Sequence, residues 1–203
     1  MANNHSAAGG LREYKKASTR RAIQTTALRL FAERGFEQTS VAEIAAAAGV
    51  SHMTFYRYFP TKEAVVLDDD YDPLIADLIA AQPKALGPVE RVRRALGEGL
   101  AEVYATDVGA IQARVELMLA TPALQRTFLE QHAGLEALIV AALDRDGQGD
   151  GTAPPLGRRV IASACAATMS TAVFLWGENG FVEELPDLVD RCFAALRDEC
   201  TRS

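Results

Sequence analysis

Six side chains between residues 52 and 58 have the chemistry needed to contact the edge of a nucleic-acid base or a phosphate. They are His52, Met53, Thr54, Tyr56, Arg57 and Tyr58. Together they offer hydrogen-bond donors, acceptors and apolar contacts, which are the groups that distinguish base pairs in a major groove. A surface that only meets water rarely carries this mixture. The segment therefore predicts a binding surface, provided that it lies on an element narrow enough to enter a groove.

The element before this segment has clear helix signals. Ser40 stands three residues before Glu43, so each side chain can bond the backbone N–H of the other residue in a capping box. Apolar residues then recur at helical spacing, at Val41, Ile44, Ala45 and Ala48. Gly49 follows, and glycine readily takes the left-handed conformation that ends a helix. The sequence predicts a helix between Ser40 and Gly49.

A second helix is expected at once, from Ser51 to Phe59. Ser51 is a suitable N-cap residue, and helical spacing turns Phe55 and Phe59 inward, away from the polar and aromatic side chains. Thr61 then caps a third helix, which leaves Lys62 beside free backbone N–H groups, a pairing suited to a phosphate oxygen. Two helices joined by a tight turn, the second with an exposed cationic and aromatic face, form a helix-turn-helix.

This pattern resembles the DNA-binding domain of the TetR family of transcriptional regulators. The matching residues are Ala45 to Ala48, Gly49, Val50, Ser51, Thr54, Phe55, Tyr56, Phe59 and Lys62. The preceding helix is also similar, at Arg20, Arg21, Ile23, Ala27, Leu30, Phe31, Gly35 and Phe36. Met53 departs from the family, where a small residue is more common, so the base preference of relatives does not carry over.

The resemblance implies an all-α fold of about nine helices. It comprises an N-terminal three-helix helix-turn-helix domain and a larger C-terminal helical domain for ligand binding and dimerisation. It implies a homodimer that binds a palindromic DNA operator and is released by a small-molecule effector, with no cofactor. The residues expected to contact DNA are Arg20, Thr39, Ser40, Ser51, His52, Met53, Thr54, Tyr56, Arg57, Tyr58 and Lys62.

Charge is divided along the chain in the way that DNA binding requires. Residues 1–62 hold nine Lys or Arg and four Glu, a balance of +5, whereas residues 63–203 hold 12 basic and 23 acidic residues, a balance of −11. We expect a flexible basic arm over residues 1–15, the helix-turn-helix over 16–62 and the helical domain over 63–203. The arm could follow the DNA backbone or simply keep the chain soluble.

The periodicity after residue 60 is helical throughout. We expect helices near 61–82, 88–106, 108–120, 122–145, 155–178 and 184–199, with Pro73 bending the first of them. Residues 144–155 imitate a calcium-binding loop at some positions, but Pro155 stands where a glutamate is required, so the segment is interpreted as a linker.

Residues 160–176 form the longest uncharged run of the chain and allow three interpretations. Seventeen residues with several Ser and Thr are marginal for a membrane span. The run could instead close the core of one chain, or it could meet a second chain. A second apolar stripe is formed by Leu185, Leu188, Val189, Cys192, Phe193 and Leu196. We expect the two helices, near 155–178 and 184–199, to form the dimer interface.

Large or adaptable side chains in the middle helices are candidates for an effector pocket. They are Tyr104, Arg114, Met118, Phe128, His132, Met169, Phe174 and Trp176. Each of them could equally be an ordinary core residue. With few charges among them, the pocket would favour a lipophilic or aromatic ligand.

Other functional classes lack their signals. The three cysteines have no C-x-x-C spacing and no H-E-x-x-H occurs, so neither a zinc site nor a disulfide is expected. Sequences typical of nucleophilic, phosphate-binding or dinucleotide-binding sites are missing, which argues against an enzyme. The first residues do not resemble a signal peptide, and we expect a cytoplasmic protein. The alternatives are an architectural DNA-binding protein without an effector and an activator.

Overall fold

The computed structural model describes residues 4–68, 72–144 and 155–201, and the regular structure within these ranges is helical. It contains ten helices: α1 (Asn4–Arg34), α2 (Val41–Ala47), α3 (His52–Tyr58), α4 (Ala64–Leu67), α5 (Asp72–Ala81), α6 (Pro88–Ala120), α7 (Pro122–Glu130), α8 (His132–Asp144), α9 (Pro155–Glu178) and α10 (Leu185–Thr201). The chain divides into two compact units, Met1–Asp68 and Asp69–Ser203. The predicted all-α fold is confirmed.

The first unit is built around one face of α1, which packs against α2 and α4, while α2 packs against α3. Ile23, Ala27, Leu30 and Phe31 recur at helical spacing on α1, and all four are buried. The ring of Phe31 lies 4.9 Å from the ring of Phe36, measured between centroids. This small core fixes the two short helices relative to α1.

Both expected boundaries of this unit lie elsewhere in the structure. From Asn4 onward the segment expected to be a flexible arm is the start of α1, and no proline occurs there to interrupt the helix. The first unit ends after Asp68 and not after Lys62. Val65 and Val66 of α4 are buried and α4 packs against α1, so residues 63–68 belong with the helix-turn-helix.

Three of the helix boundaries expected after residue 60 need correction. The helix expected over 61–82 is two helices, since the backbone at Asp68 is extended, with ψ of 131°; residues 69–71 and the side chain of Pro73 lie outside the described part. The helices expected at 88–106 and 108–120 are one continuous α6, because no proline separates them. The helix expected at 122–145 is interrupted at Gln131. The linker over 145–154 also lies outside the described residues.

Helix α9 is the centre of the second unit and packs against α6, α8 and α10. It lies close to α6 at Gly177, where a Cβ atom would be 2.3 Å from Leu119 Cδ1 and 2.9 Å from Val115 Cγ1. By length and composition, the stretch Leu156–Glu178 is long and apolar enough to cross a membrane. However, 44% of its most apolar window is buried inside the protein, and a core helix of a soluble protein passes the same test.

Candidate nucleic-acid interface

Helix α2 begins and ends as its sequence predicts. The Ser40 hydroxyl accepts a hydrogen bond from the Glu43 N–H at 3.3 Å, and the Glu43 carboxylate accepts one from the Ser40 N–H at 2.8 Å. The backbone and hydroxyl bonds from Ser40 lower the pKa of Glu43. Gly49 has φ of +69° and closes the helix. The capping box and the glycine stop are both confirmed.

Helix α3 is fixed at its start and anchored underneath. The Ser51 hydroxyl accepts from the Thr54 N–H at 3.0 Å, which satisfies one of the free backbone donors of the first turn. Phe55 and Phe59 are completely buried, with ring centroids 6.0 Å apart. Because these two rings hold one side of α3 against the core, its other sides face outward.

The outward side of α3 carries the predicted cationic and aromatic surface. Met53 is 78% exposed and Tyr56 is 42% exposed, and His52 and Arg57 are exposed as well. We call these four residues the reading face. The His52 and Tyr56 rings meet edge to face at 4.9 Å. The prediction that they lie away from the core is confirmed, and all four lie within the seven residues of α3.

Two flanking residues from the predicted DNA contacts have internal partners. Thr39 is buried, and its hydroxyl donates to the Gly35 carbonyl at 2.9 Å, so its side chain supports the turn between α1 and α2. Lys62 Nζ donates to the carbonyl oxygens of Phe36, at 2.9 Å, and Thr39, at 3.3 Å. Thr61 accepts from the Ala64 N–H at 3.1 Å, as expected of a capping residue.

Arg20 is also engaged inside the first unit. Its guanidinium donates to the carbonyl of Tyr58 at 3.0 Å and to the carbonyl of Asp68 at 3.4 Å, and it lies 4.2 Å from the centre of the Phe59 ring. These acceptors are 38 and 48 positions away along the chain. Sequence reasoning missed this arrangement, since no local pattern reports a contact over such a distance.

The residues predicted to line an effector pocket include two ring pairs in the second unit. Phe128 and Phe174 meet edge to face with centroids 5.6 Å apart. Tyr104 and Trp176 are tilted against each other at 6.0 Å. Trp176 is completely buried, and its indole N–H donates to the Glu183 carbonyl at 2.8 Å. Trp176 therefore has a place in the core whether or not it meets a ligand.

Tyr104 also has a structural partner. Its hydroxyl accepts from the backbone N–H of Leu185 at 3.1 Å, at the first turn of α10. Burial raises the pKa of Tyr104 because a low-dielectric environment disfavours the phenolate. Tyr104 therefore supports the start of α10 from α6, a role that its sequence context does not reveal.

Two family models together match most of the chain. The model for bacterial regulatory proteins of the tetR family matches residues 23–68, which include α2, α3 and the reading face. The model for the MftR C-terminal domain matches residues 86–201. The chain belongs to the TetR family of transcriptional regulators. Members of this family are DNA-binding regulators and not enzymes.

Curated proteins that are similar to this TetR-family chain are also transcriptional regulators. It is 32% identical over 143 residues to the regulator TcmR of Streptomyces glaucescens, a match that covers 66% of this chain and 63% of TcmR. It is 28% identical over 141 residues to MftR, a putative mycofactocin biosynthesis regulator of Mycobacterium tuberculosis, covering 68% of this chain and 70% of MftR. The chain thus matches less than two thirds of the length of TcmR.

Solved structures share the fold. FadR of Thermus thermophilus, a TetR-family repressor solved in complex with lauroyl-CoA, is 28% identical, with a TM-score of 0.53 over 87% of this chain and 92% of FadR. SmeT in its triclosan complex is 20% identical, with a TM-score of 0.55 over 88% of this chain and 91% of SmeT. At that identity SmeT supports the fold alone.

The remaining residues predicted for a ligand pocket in this TetR-family chain differ in burial. Met118 is buried, whereas Arg114, His132 and Met169 are half-buried. His132 Nε2 is buried and has no hydrogen-bond partner. A buried polar atom without a partner costs free energy, so His132 is the candidate that a polar ligand atom would satisfy.

A surface groove of about 560 Å³ lies beside α8. Its lining residues are Ala133, Glu136, Ala137, Val140, Ala141, Asp144 and Arg159, and it includes none of the eight side chains predicted for the pocket. The groove is open and its lining includes Glu136, Asp144 and Arg159, so it does not resemble an enclosed site for a lipophilic molecule.

Cysteine and metal chemistry have no built site in the part of the chain described above. Cys165 is buried, and burial raises its pKa to about 12, which makes it an inert core thiol. Cys192 is also a free thiol, and the side chain of Cys200 lies outside the described residues. Among the residues that the structure describes, no group of three His, Cys, Asp or Glu side chains could hold a metal ion.

Proposed function

We propose that this TetR-family protein is a repressor that binds a palindromic operator as a homodimer and leaves it when a small lipophilic effector binds. The observation that carries the proposal is the reading face of α3. A capped helix with Met53, Tyr56 and Arg57 exposed, supported from below by two buried phenylalanines, has the size and chemistry to enter a major groove.

The exposed positions of α3 and the resemblance to the family together support the roles proposed for the residues around this helix. His52, Met53, Arg57 and Tyr58 are candidates for base or phosphate contacts along α3. Thr54 and Tyr56 match the family positions that touch the DNA backbone or a base. Ser40 and Ser51 lie at the starts of α2 and α3, where backbone N–H groups favour a phosphate.

The proposed dimer rests on an apolar face of α9, because the apolar stripe expected to join it from α10 is buried within one chain at Leu185, Leu188, Val189 and Phe193. Leu156 is 73% exposed, Val160 is 60% exposed and Leu175 is 37% exposed. The exposed residues between Val160 and Leu175 are uncharged and mostly small: Ser163, Ala167 and Thr171. A second copy of the same helix would bury this face. A dimer would also bring two copies of α3 to the DNA. Selective binding needs both, because a single short helix makes too few base contacts.

The proposed effector is lipophilic. FadR of Thermus thermophilus, which was solved in complex with lauroyl-CoA, supports this inference through its similarity along most of the chain. Within the second unit, the Phe128 and Phe174 pair offers aromatic surface, and His132 Nε2 offers an unused polar atom. Release follows if the effector binds the DNA-free conformation more tightly than the DNA-bound one. The protein would act in the cytoplasm.

Operator selection tests the proposal. The purified chain is incubated with random duplexes, and the bound fraction is amplified and sequenced. We expect an inverted repeat whose half-sites are about one DNA turn apart. Release is then measured by fluorescence anisotropy of a labelled operator during titration with fatty acyl-CoA esters, free fatty acids and hydrophobic aromatic compounds. A selected sequence without a repeat would contradict the dimeric model, and an operator complex that no compound in this panel dissociates would contradict the lipophilic effector.

A further inference from the structure

We infer that Arg20 is a positioning residue for DNA recognition. It holds the C-terminal end of α3 against the end of α4 and does not itself neutralise a phosphate. The inference rests on the proposed role of α3 in binding DNA. It changes the role of a cation that resemblance to the family places among the DNA contacts.

The geometry around Arg20 brings two helix ends together. Tyr58 is the last residue of α3, and Asp68 is the residue that follows α4. Carbonyl groups at the C-terminal end of a helix lack intrahelical donors and carry partial negative charge. One guanidinium donates to both of them, at 3.0 and 3.4 Å. Arg20 therefore fixes the end of α3 relative to α1 and α4 at the same time.

A neighbouring side chain repeats the contact. Gln24 lies one turn further along α1, and its amide donates to the Val65 carbonyl at 3.0 Å and to the Asp68 carbonyl at 3.4 Å. The Asp68 carbonyl therefore accepts from both Arg20 and Gln24. Two consecutive turns of α1 bond the end of α4, so the contact does not depend on a single hydrogen bond.

The chemistry requires arginine at this position. A guanidinium is planar, donates in two directions and stacks on an aromatic ring, and here it lies 4.2 Å from the centre of the Phe59 ring. Phe59 in turn follows α3 directly and is buried beneath it. A lysine would keep the positive charge but lacks the planar fork. A phosphate, by contrast, accepts either side chain.

This difference separates the two roles of Arg20 experimentally. Binding to the selected operator and to an unrelated duplex is measured at salt concentrations from about 50 to 300 mM. Over this range, counterion release makes the affinity for DNA depend on salt. We expect Arg20→Lys and Arg20→Gln to weaken operator binding roughly ten-fold, the loss of about one well-placed base contact. The salt slope and the affinity for the unrelated duplex should stay at the wild-type values. Gln24→Met, which removes the donors without changing charge, should act in the same direction but more weakly.

The matched control is Arg29→Gln. Arg29 lies on the same helix, pairs with Glu33 at 2.7 Å and is exposed, so this variant removes the same charge without touching α3. We expect both duplexes to bind as they do to the wild type. A phosphate contact would instead leave Arg20→Lys nearly as tight as the wild type, and Arg20→Gln would lower the salt slope by about 0.9. If an Arg20 variant bound both duplexes equally more weakly than the wild type, the loss would come from partial unfolding of the variant. Either of these two results for the Arg20 variants overturns the inference.

A measurement without DNA keeps the inference separate from the proposed function. Hydrogen exchange of the peptide over residues 52–59 in the free protein should be faster in Arg20→Lys than in the wild type, and unchanged in Arg29→Gln. Unchanged exchange in Arg20→Lys would overturn the positioning role, whatever the DNA results are. Failure of the wild-type chain to select any operator would overturn the proposed function and leave this readout intact.

Discussion

Lys62 closes the turn that follows α1 through its contact with Phe36. Its ammonium nitrogen lies 2.9 Å from the Phe36 carbonyl oxygen and 4.2 Å from the centre of the Phe36 ring. The cation is therefore part of the framework of the helix-turn-helix.

Lys62→Met should therefore destabilise the first unit. The change keeps an apolar stem but removes the ammonium, which leaves the Phe36 and Thr39 carbonyls without this donor. We expect a loss of about 1 to 2 kcal/mol in the free energy of unfolding, measured by urea titration and circular dichroism. Lys15→Met, at an exposed position of α1, is the matched control and should change it little. Equal stability of the two variants would contradict the role assigned to Lys62.

Acid should weaken the second unit through Glu90. The hydrogen bond from Arg93, helped by one from Arg94, lowers the pKa of Glu90 to about 2. Because the pKa is lower in the folded state, the carboxylate stabilises the fold above its ordinary pKa of 4.5, and this contribution is lost as pH falls towards 2. We expect Glu90→Gln to cost on the order of 1 to 2 kcal/mol at pH 7, after allowing for partial exposure.

The measurement for Glu90 is the difference in unfolding free energy between wild type and Glu90→Gln as a function of pH. It should be constant above pH 5.5, roughly one unit above the ordinary pKa, and shrink as the solution becomes more acidic. Glu130→Gln, at an exposed position of α7, is the control. A difference that grows with acidity would show that the sign of the Glu90 linkage is wrong.

Gly177 should resist even the smallest side chain. A Cβ atom there would lie 2.3 Å from Leu119 Cδ1 and 2.9 Å from Val115 Cγ1, so α9 and α6 would have to move apart or repack. We expect Gly177→Ala to cost about 1 to 3 kcal/mol. At Gly97, inside α6, a Cβ atom would meet nothing within 4 Å, and Gly97→Ala should stabilise the protein by about 0.5 to 1 kcal/mol. Thermal melting of both variants checks the opposite signs.

A charge on the exposed face of α9 should separate the proposed dimer. Val160 is 60% exposed on that face, so Val160→Glu would bury a carboxylate against the second copy, at a cost of several kcal/mol. Light scattering after size exclusion should report a monomer for this variant. Val182, which is 88% exposed and lies after α9, gives the control Val182→Glu, which should remain a dimer. If both variants stay dimeric, the interface lies elsewhere.

The parts of this protein that the sequence predicts correctly are those set by neighbouring residues. The capping box of Ser40 with Glu43, the left-handed Gly49 and the buried Phe55 each depend on contacts within a few positions, and such contacts can be derived from spacing alone. The outward side of α3 follows from the same periodicity. For this reason the location of the reading face can be predicted from the amino-acid sequence.

The parts that sequence reasoning missed depend on distant residues. The acceptors of Arg20 and Lys62 lie 23 to 48 positions away, and nothing in their local sequence identifies a carbonyl so far along the chain. The continuous α6 shows a related limit, because no proline stands at the break expected near residue 107 and the neighbouring helices stabilise one helix across it. Trp176 is a pocket candidate by residue type, whereas its indole bond to the Glu183 carbonyl depends on a turn after α9.

The central claim, that α3 reads the operator, is tested most directly by repeating operator selection with a variant of its reading face. Met53→Ala combined with Arg57→Gln alters two exposed side chains and leaves Phe55, Phe59 and the Ser51 cap in place. We expect the variant to select a repeat of the same spacing with relaxed or changed preference at one or two positions in each half-site. Selection of the same sequence with the same affinity as the wild type would contradict the claim.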